Sequence, residues 1–233
     1  MQRMFHDGIP VIAVSQALMK DIVHFAGTDC FSQYIVPNVV NPEIFYHRKK
    51  DRSHNKPVFL MVANWASIKR PLLVMRAFAD ILQDFPEAQL RIVGYGQQWE
   101  NMQAFVNEHN LESNIDLLGS MNKSSIAKEM QQASCFVHAS DYETFSVVCA
   151  EALCCGVPVI ASDVGGISEF VNESNGILVK NSHQTWVDAL EKFMQRREPW
   201  DAHKISRTAI ARFSPHEIGA KLLEVYEQSK GGR

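Results

Sequence analysis

No stretch of this 233-residue chain holds the ~18 consecutive apolar residues that would cross a bilayer as a helix. The longest apolar runs, such as Gly8-Ile-Pro-Val-Ile-Ala-Val14, have the length of a strand, so no transmembrane segment is expected. An excess of basic residues is also missing. Lys and Arg number 23 against 26 Asp and Glu, a formal net charge of −3, which leaves no stripe for nucleic acid and no polybasic segment for an anionic membrane face. The opening residues Met1 to Asp7 carry one positive and one negative charge before a short apolar run, without a small-residue cleavage pattern. No signal peptide is read there, and a cytoplasmic chain is the expectation. The five cysteines, Cys30, Cys135, Cys149, Cys154 and Cys155, make no C-x-x-C pair, and their odd number in apolar settings predicts reduced, buried thiols. Gly94-Tyr-Gly-Gln-Gln-Trp99 places Trp99 where the third glycine of a dinucleotide fingerprint belongs, which argues against a nicotinamide cofactor.

What the chain does have is hydrophobic content, 46%, enough for a sizeable core in one large domain or in one domain with an appendage. Apolar strands alternate with amphipathic helices. Val58–Ala63 reads as a strand and Pro71–Phe85 as a helix with Val74, Phe78, Ile81, Leu82 and Phe85 on one face. The series continues with strand Gln89–Val93, helix Trp99–His109, strand Ile115–Leu118, helix Ser124–Gln132 capped by Ser124, and strand Cys135–His138. After a further helix come strand Val157–Ala161, a short helix Ile167–Val171, strand Gly176–Val179 and helix His183–Arg196. This order predicts an α/β fold with a doubly wound parallel sheet and a ligand crevice beyond the carboxyl ends of its strands. Residues 1–46 form a separate strand–helix–strand unit, 47–56 a charged linker, 57–212 the main domain, and 213–233 a terminal helix and tail.

The richest stretch is Ser140-Asp-Tyr-Glu143-Thr-Phe-Ser-Val-Val-Cys-Ala-Glu151, followed by Ala-Leu-Cys-Cys-Gly-Val-Pro-Val-Ile-Ala-Ser162. Glu143 falls in a polar loop after a strand, Glu151 lies in the apolar helix that follows, and Ser146 stands where that helix is capped. Backbone N–H groups and the positive end of a helix dipole can hold an anion such as a phosphate at such a junction. Carboxylates beside an anion site suit neutral hydroxyls, and one carboxylate can accept from two neighbouring sugar hydroxyls.

This stretch resembles the Glu-x7-Glu signature of the retaining nucleotide-sugar glycosyltransferases of family 4, which have the GT-B fold. The resemblance continues through Cys155-Gly-Val-Pro-Val-Ile-Ala-Ser-Asp-Val-Gly-Gly-Ile-Ser-Glu169. It implies a Rossmann-like donor-binding half of a GT-B architecture, with Glu143 holding the donor sugar and Glu151 the ribose. The backbone of Phe145, Ser146 and Val147 would then meet the sugar-phosphate. Lys69 stands where the family has a diphosphate-binding lysine, but Asn64 replaces the family's arginine and Ala63 its glycine, so Arg70 becomes a second candidate for the phosphates. Gly94 would line the donor cleft. Backbone groups around Leu118, within Ile115–Met121, would meet the base, leaving UDP- and GDP-linked donors both open. Gly165 and Gly166 suit either a ligand contact or a plain turn. His138 suits either a donor contact or a packed strand end, and Trp65 is an aromatic neighbour of the same place.

The resemblance further implies sugar transfer to a sugar or lipid-linked acceptor with retention, with Glu143 and Lys69 as the catalytic pair. No metal and no cofactor are expected, in line with the lack of an Asp-x-Asp triplet. Residues 1–46 resemble the tail of the family's acceptor-side domain. The rest of that domain would lie upstream and could mediate peripheral membrane association. A nucleotide-sugar-binding fragment inactive without that domain, or an epimerase or glycogen-type synthase on the same fold, are the competing expectations.

Overall fold

The structure, a computed structural model, describes residues 9–49, 56–196 and 200–231. The leader reading at Met1–Asp7 and most of the expected linker lie outside the described residues. Strands β3 (Val58–Val62), β4 (Gln89–Val93), β5 (Ile115–Gly119), β6 (Cys135–His138), β7 (Val159–Ser162) and β8 (Gly176–Val179) form one sheet in the order β5-β4-β3-β6-β7-β8. Every neighbouring pair in it is parallel. Because both faces are covered, these strands are apolar nearly throughout rather than alternating apolar and polar. Phe59 and Met61 of β3 enter the core on one face, and Leu60 and Val62 enter the core on the other.

One face is packed by α2 (Pro71–Ile81), α3 (Trp99–Glu108) and α6 (His183–Met194), which supply Val74, Phe78, Met102, Trp186 and Leu190. The opposite face is packed by α4 (Lys123–Gln132), α5 (Val147–Cys154) and α7 (Ala202–Phe213), which supply Met130, Leu153, Ile205 and Phe213. Ahead of the sheet, β1 (Val11–Ala13) pairs in parallel with β2 (Gln33–Ile35) across α1 (Gln16–Ala26). The last helix, α8 (Pro215–Gly231), lays Ile218 and Val225 on Val36, just after β2. The two ends of the described chain therefore meet.

Local differences from the sequence reading have simple causes. Helix α2 closes at Ile81 rather than Phe85 and runs out through turns into Pro86, which disfavours helical geometry in the residue before it. Asn122, not Ser124, caps α4, its side chain accepting from the Ser125 N–H at 2.9 Å. The expected helix Ile167–Val171 is a 3-10 turn over Gly165–Glu169. Cys30 is exposed, while Cys135, Cys149, Cys154 and Cys155 are buried free thiols.

Candidate functional site

The chain moves outward in one direction from β3 to β4 and β5, then returns to lay β6 on the other side of β3 and continues to β7 and β8. This reversal at β3/β6 is the topological switch point, and beyond the carboxyl ends of such strands the following loops must separate and leave a crevice. Lys69 lies in the loop after β3 and Glu143 in the loop after β6, so strand order places these distant residues at the same opening. The two loops are joined directly. The Asp141 N–H and the Ser140 hydroxyl both donate to the Ile68 carbonyl, at 2.9 and 3.3 Å. Asn181, after β8, donates its amide to the Ser140 carbonyl at 2.7 Å and accepts from the Ser162 hydroxyl at 2.6 Å.

At the centre of the opening, the Lys69 ammonium ion-pairs with Oε1 of Glu143. The Nε2 of His138, a residue only 4% exposed at the end of β6, lies 2.6 Å from that same oxygen. Burial alone would push the Glu143 carboxyl up, but hydrogen bonds and charge from His138 and Lys69 outweigh it and hold the carboxyl below its ordinary value. An ionised carboxylate only accepts, so the proton of the short contact sits on Nε2 of His138. Both donors converge on Oε1, and Oε2 has no hydrogen bond to any described residue.

Helix α5 begins three residues after Glu143's neighbour Thr144. Ser146 occupies the cap position as expected, but with φ +71° and ψ 80° it gives the helix no side-chain cap. Its hydroxyl instead contacts the Cys149 sulfur at 3.2 Å. First-turn N–H groups have no acceptor within their own helix, so an uncapped start leaves them available to an anion. The Phe145 side chain turns away into the core, with ring centroids 5.1 Å from Phe170 and 5.5 Å from Phe213. Only the backbone of Phe145 is therefore left to line the opening, while Val147 is partly exposed at the helix start.

Glu151 sits one turn further along α5 than the first exposed residues, 8% exposed, and its side-chain carboxyl makes no hydrogen bond to any described residue. Burial pushes its carboxyl up to about 7, partly opposed by the charge of Lys123 at the start of α4. A carboxyl that is costly to bury and lacks a protein partner is a group prepared for an outside donor. Beside it, burial pushes the Cys149 and Cys154 thiols up to about 12, so both stay protonated and serve as packing groups.

The remaining candidates divide between exposed and structural placements. Asn64 is exposed at the end of β3. The Arg70 guanidinium is engaged by Asp141, with Nε at 2.8 and 2.7 Å from its two carboxylate oxygens. Leu118, near the end of β5, is partly buried against the α4–α5 side of the core. Gly94 has φ +122°, and a Cβ there would lie 1.9 Å from the Ala63 carbonyl oxygen, so its lack of a side chain serves the packing of two loops. Gly165, with φ +54°, presses on Glu143 itself, since a Cβ would lie 1.5 Å from the Glu143 carbonyl oxygen. Gly166 makes a similar approach to Thr144. Trp65 is buried, and its indole Nε1 has no hydrogen-bond partner among the described residues.

The support from α1 left no sign in the local sequence pattern. The Ser15 hydroxyl donates to the Thr144 carbonyl at 2.5 Å while accepting from the Leu18 N–H at 3.0 Å, and the Tyr142 hydroxyl donates to Asp21 at 3.0 Å. Residues on both sides of Glu143 are thus tied to one helix more than a hundred positions earlier. No periodicity could signal contacts at separations of 129 and 121 residues. The Ala17 N–H adds a bond to the Glu169 carboxylate at 2.9 Å. No cluster of three or more His, Cys, Asp or Glu arranged to hold a metal occurs among the described residues, and no helix among them is long and apolar enough to cross a membrane.

Comparison with known proteins points to one family. The profile of the family described as glycosyl transferases group 1 matches residues 43–212. The GPI3 subunit of phosphatidylinositol N-acetylglucosaminyltransferase from Saccharomyces cerevisiae is 23% identical over 201 residues, covering 82% of this chain and 44% of the relative. D-inositol 3-phosphate glycosyltransferase from Paenarthrobacter aurescens is 27% identical over 247 residues, covering 99% of this chain and 60% of the relative. Among solved structures, Anabaena HepE in complex with UDP and glucose superposes with a TM-score of 0.80 at 22% identity, covering 93% of this chain and 62% of that one. The chain thus spans about half the length of the curated relatives it matches.

Proposed function

The chain belongs to the glycosyl transferases group 1 family and carries the sheet of a GT-B glycosyltransferase, and from that premise we propose that it binds a nucleotide diphosphate sugar for retaining, metal-independent transfer of the type of family 4. The observation that carries this reading is the division of labour between two glutamates at one strand–loop–helix junction. Glu143 is ionised and fixed through one oxygen with the other free, and the Glu151 carboxyl is buried without a hydrogen-bond partner among the described residues. Glu143 would accept from donor-sugar hydroxyls and Glu151 from the ribose. Lys69 and the uncapped start of α5 would hold the diphosphate, with the backbone of Phe145, Ser146 and Val147 along it. Asn64 and Gly94 would line the phosphate side, and the strand end at Leu118 the base.

In the reaction the bond from the anomeric carbon to the phosphate oxygen breaks and a bond to the acceptor oxygen forms on the same face. The acceptor's proton leaves with the diphosphate. Charge grows on the leaving diphosphate as this happens, and Lys69 together with fixed backbone dipoles would stabilise it more in the transition state than in the ground state. The Arg70–Asp141 pair argues for a supporting part for Arg70, which would keep the Lys69 and Glu143 loops in register. HepE, solved with UDP and glucose, and relatives named for N-acetylglucosaminyl and inositol phosphate glycosyl transfer support the donor class. The acceptor would be a sugar or lipid-linked hydroxyl, and the setting cytoplasmic.

Because the chain spans about half of its curated relatives, a second reading is a donor-binding module that needs further protein for turnover. Equilibrium titration with UDP- and GDP-sugars tests the donor site, with Glu151→Ala as control. Binding by the parent and a loss of about tenfold or more in the variant is expected, as for a ribose contact to a charged group. No binding of any nucleotide, or equal binding by the variant, would sink the assignment. Release of nucleoside diphosphate in the presence of acceptor sugars separates a complete transferase from a module.

A further inference from the structure

We infer that His138 is a positioning residue for Glu143, a buried fixed partner that keeps the carboxylate aimed when Lys69 turns to the donor diphosphate. The inference rests on the donor reading above and adds a part of the site that reading does not require. Lys69 and His138 share a single oxygen of Glu143, yet they differ in freedom. Lys69 has a long flexible side chain, 23% exposed, at the mouth of the opening. His138 sits on the last residue of a central strand, 4% exposed, and β6 is paired on both sides, to β3 and β7. An ammonium is drawn to a diphosphate more strongly than to one carboxylate. When it moves, a carboxylate whose side chain is 11% exposed loses a donor and stays out of water. With His138 in place, Oε1 keeps a charge-assisted hydrogen bond and Oε2 stays turned to the ligand. Without it, Glu143 either takes up a proton or reclaims Lys69 from the phosphates, and in both cases the sugar is held less well.

The consequence falls on the sugar end of the donor and not on the nucleotide end, which gives the test its form. The 233-residue protein is titrated with UDP and GDP and with their sugar conjugates, for the parent, His138→Ala and His138→Gln, with thermal melting of each. The quantity compared is the affinity advantage of nucleotide-sugar over the matching nucleoside diphosphate. His138→Ala should shrink this advantage by roughly tenfold or more, the scale of one hydrogen bond to a charged buried group. His138→Gln, whose amide can donate to the same oxygen, should restore most of it. An unchanged advantage in His138→Ala overturns the role of His138 while leaving the donor site standing. Failure of the parent to bind any of these ligands overturns the donor reading itself and this inference with it. Loss of cooperative melting in both variants would make His138 a core residue and also overturn the inference.

Discussion

At the scale of single residues, the two glutamates answer pH in opposite senses. The Glu151 carboxyl is raised to about 7 by burial, so the folded chain favours its neutral form. Its ionisation costs nothing below the ordinary value near 4.5, and the cost grows as pH rises from there through about 7. Glu151→Gln should therefore gain stability relative to the parent across that window, by on the order of 3 kcal/mol at its upper end, and match it at pH 4. Urea unfolding at pH 4, 6 and 8 measures this. Glu143 is held below its ordinary value, so the stability it contributes is present above about 4.5 and is lost as pH falls through the lowered folded value. Lys69→Met removes one of its two partners and should shift the Glu143 carboxyl titration upward, read by carbon-13 NMR. The shift should stay partial because His138 remains.

Between elements, the site depends on loops pressed together without side chains between them. Gly165 combines a left-handed φ with contact against the Glu143 carbonyl, so Gly165→Ala adds strain of about 1–2 kcal/mol and a clash that backbone movement must relieve. The expected outcome is a lower melting temperature together with weaker nucleotide-sugar binding, because the moving backbone is that of Glu143. Sequence pattern made the strands and helices of the sheet visible, since apolar strands and amphipathic helices have different periods. It also made the Glu143–Glu151 spacing visible. The purpose of Gly165 and Gly166 was not legible, because a glycine against a ligand and a glycine against another loop leave the same letter. The cap of α5 was readable in position only, as Ser146 turns its hydroxyl to Cys149 and leaves the helix start open.

Over the whole molecule, the site is held by pieces far apart in the chain. Phe213, at the end of α7, packs on Phe145 and Phe170, and the next turn leads into α8 and back to Val36. Phe213→Ala should cost about 3–5 kcal/mol as a buried aromatic truncation. Guanidinium unfolding gives that figure, and calorimetry at a temperature where the variant stays folded should show reduced donor affinity, since the backbone of Phe145 loses its seat. The packing of the last helix back onto the N-terminal unit was open to reading through the family resemblance, but the support from α1 was not. Ser15 and Asp21 are ordinary residues of a capped surface helix by local pattern, and only the folded chain brings them beside Thr144 and Tyr142.

The Ser15 hydroxyl serves two structures with one oxygen, receiving the Leu18 N–H that starts α1 and giving its own proton to the Thr144 carbonyl. Unwinding the first turn of α1 and releasing the loop around Glu143 are therefore parts of a single opening event. Amide hydrogen exchange should report them as one correlated unit: Ser15→Ala should raise exchange at Leu18 and in the segment 143–146 by similar factors, although more than a hundred positions of chain separate the two.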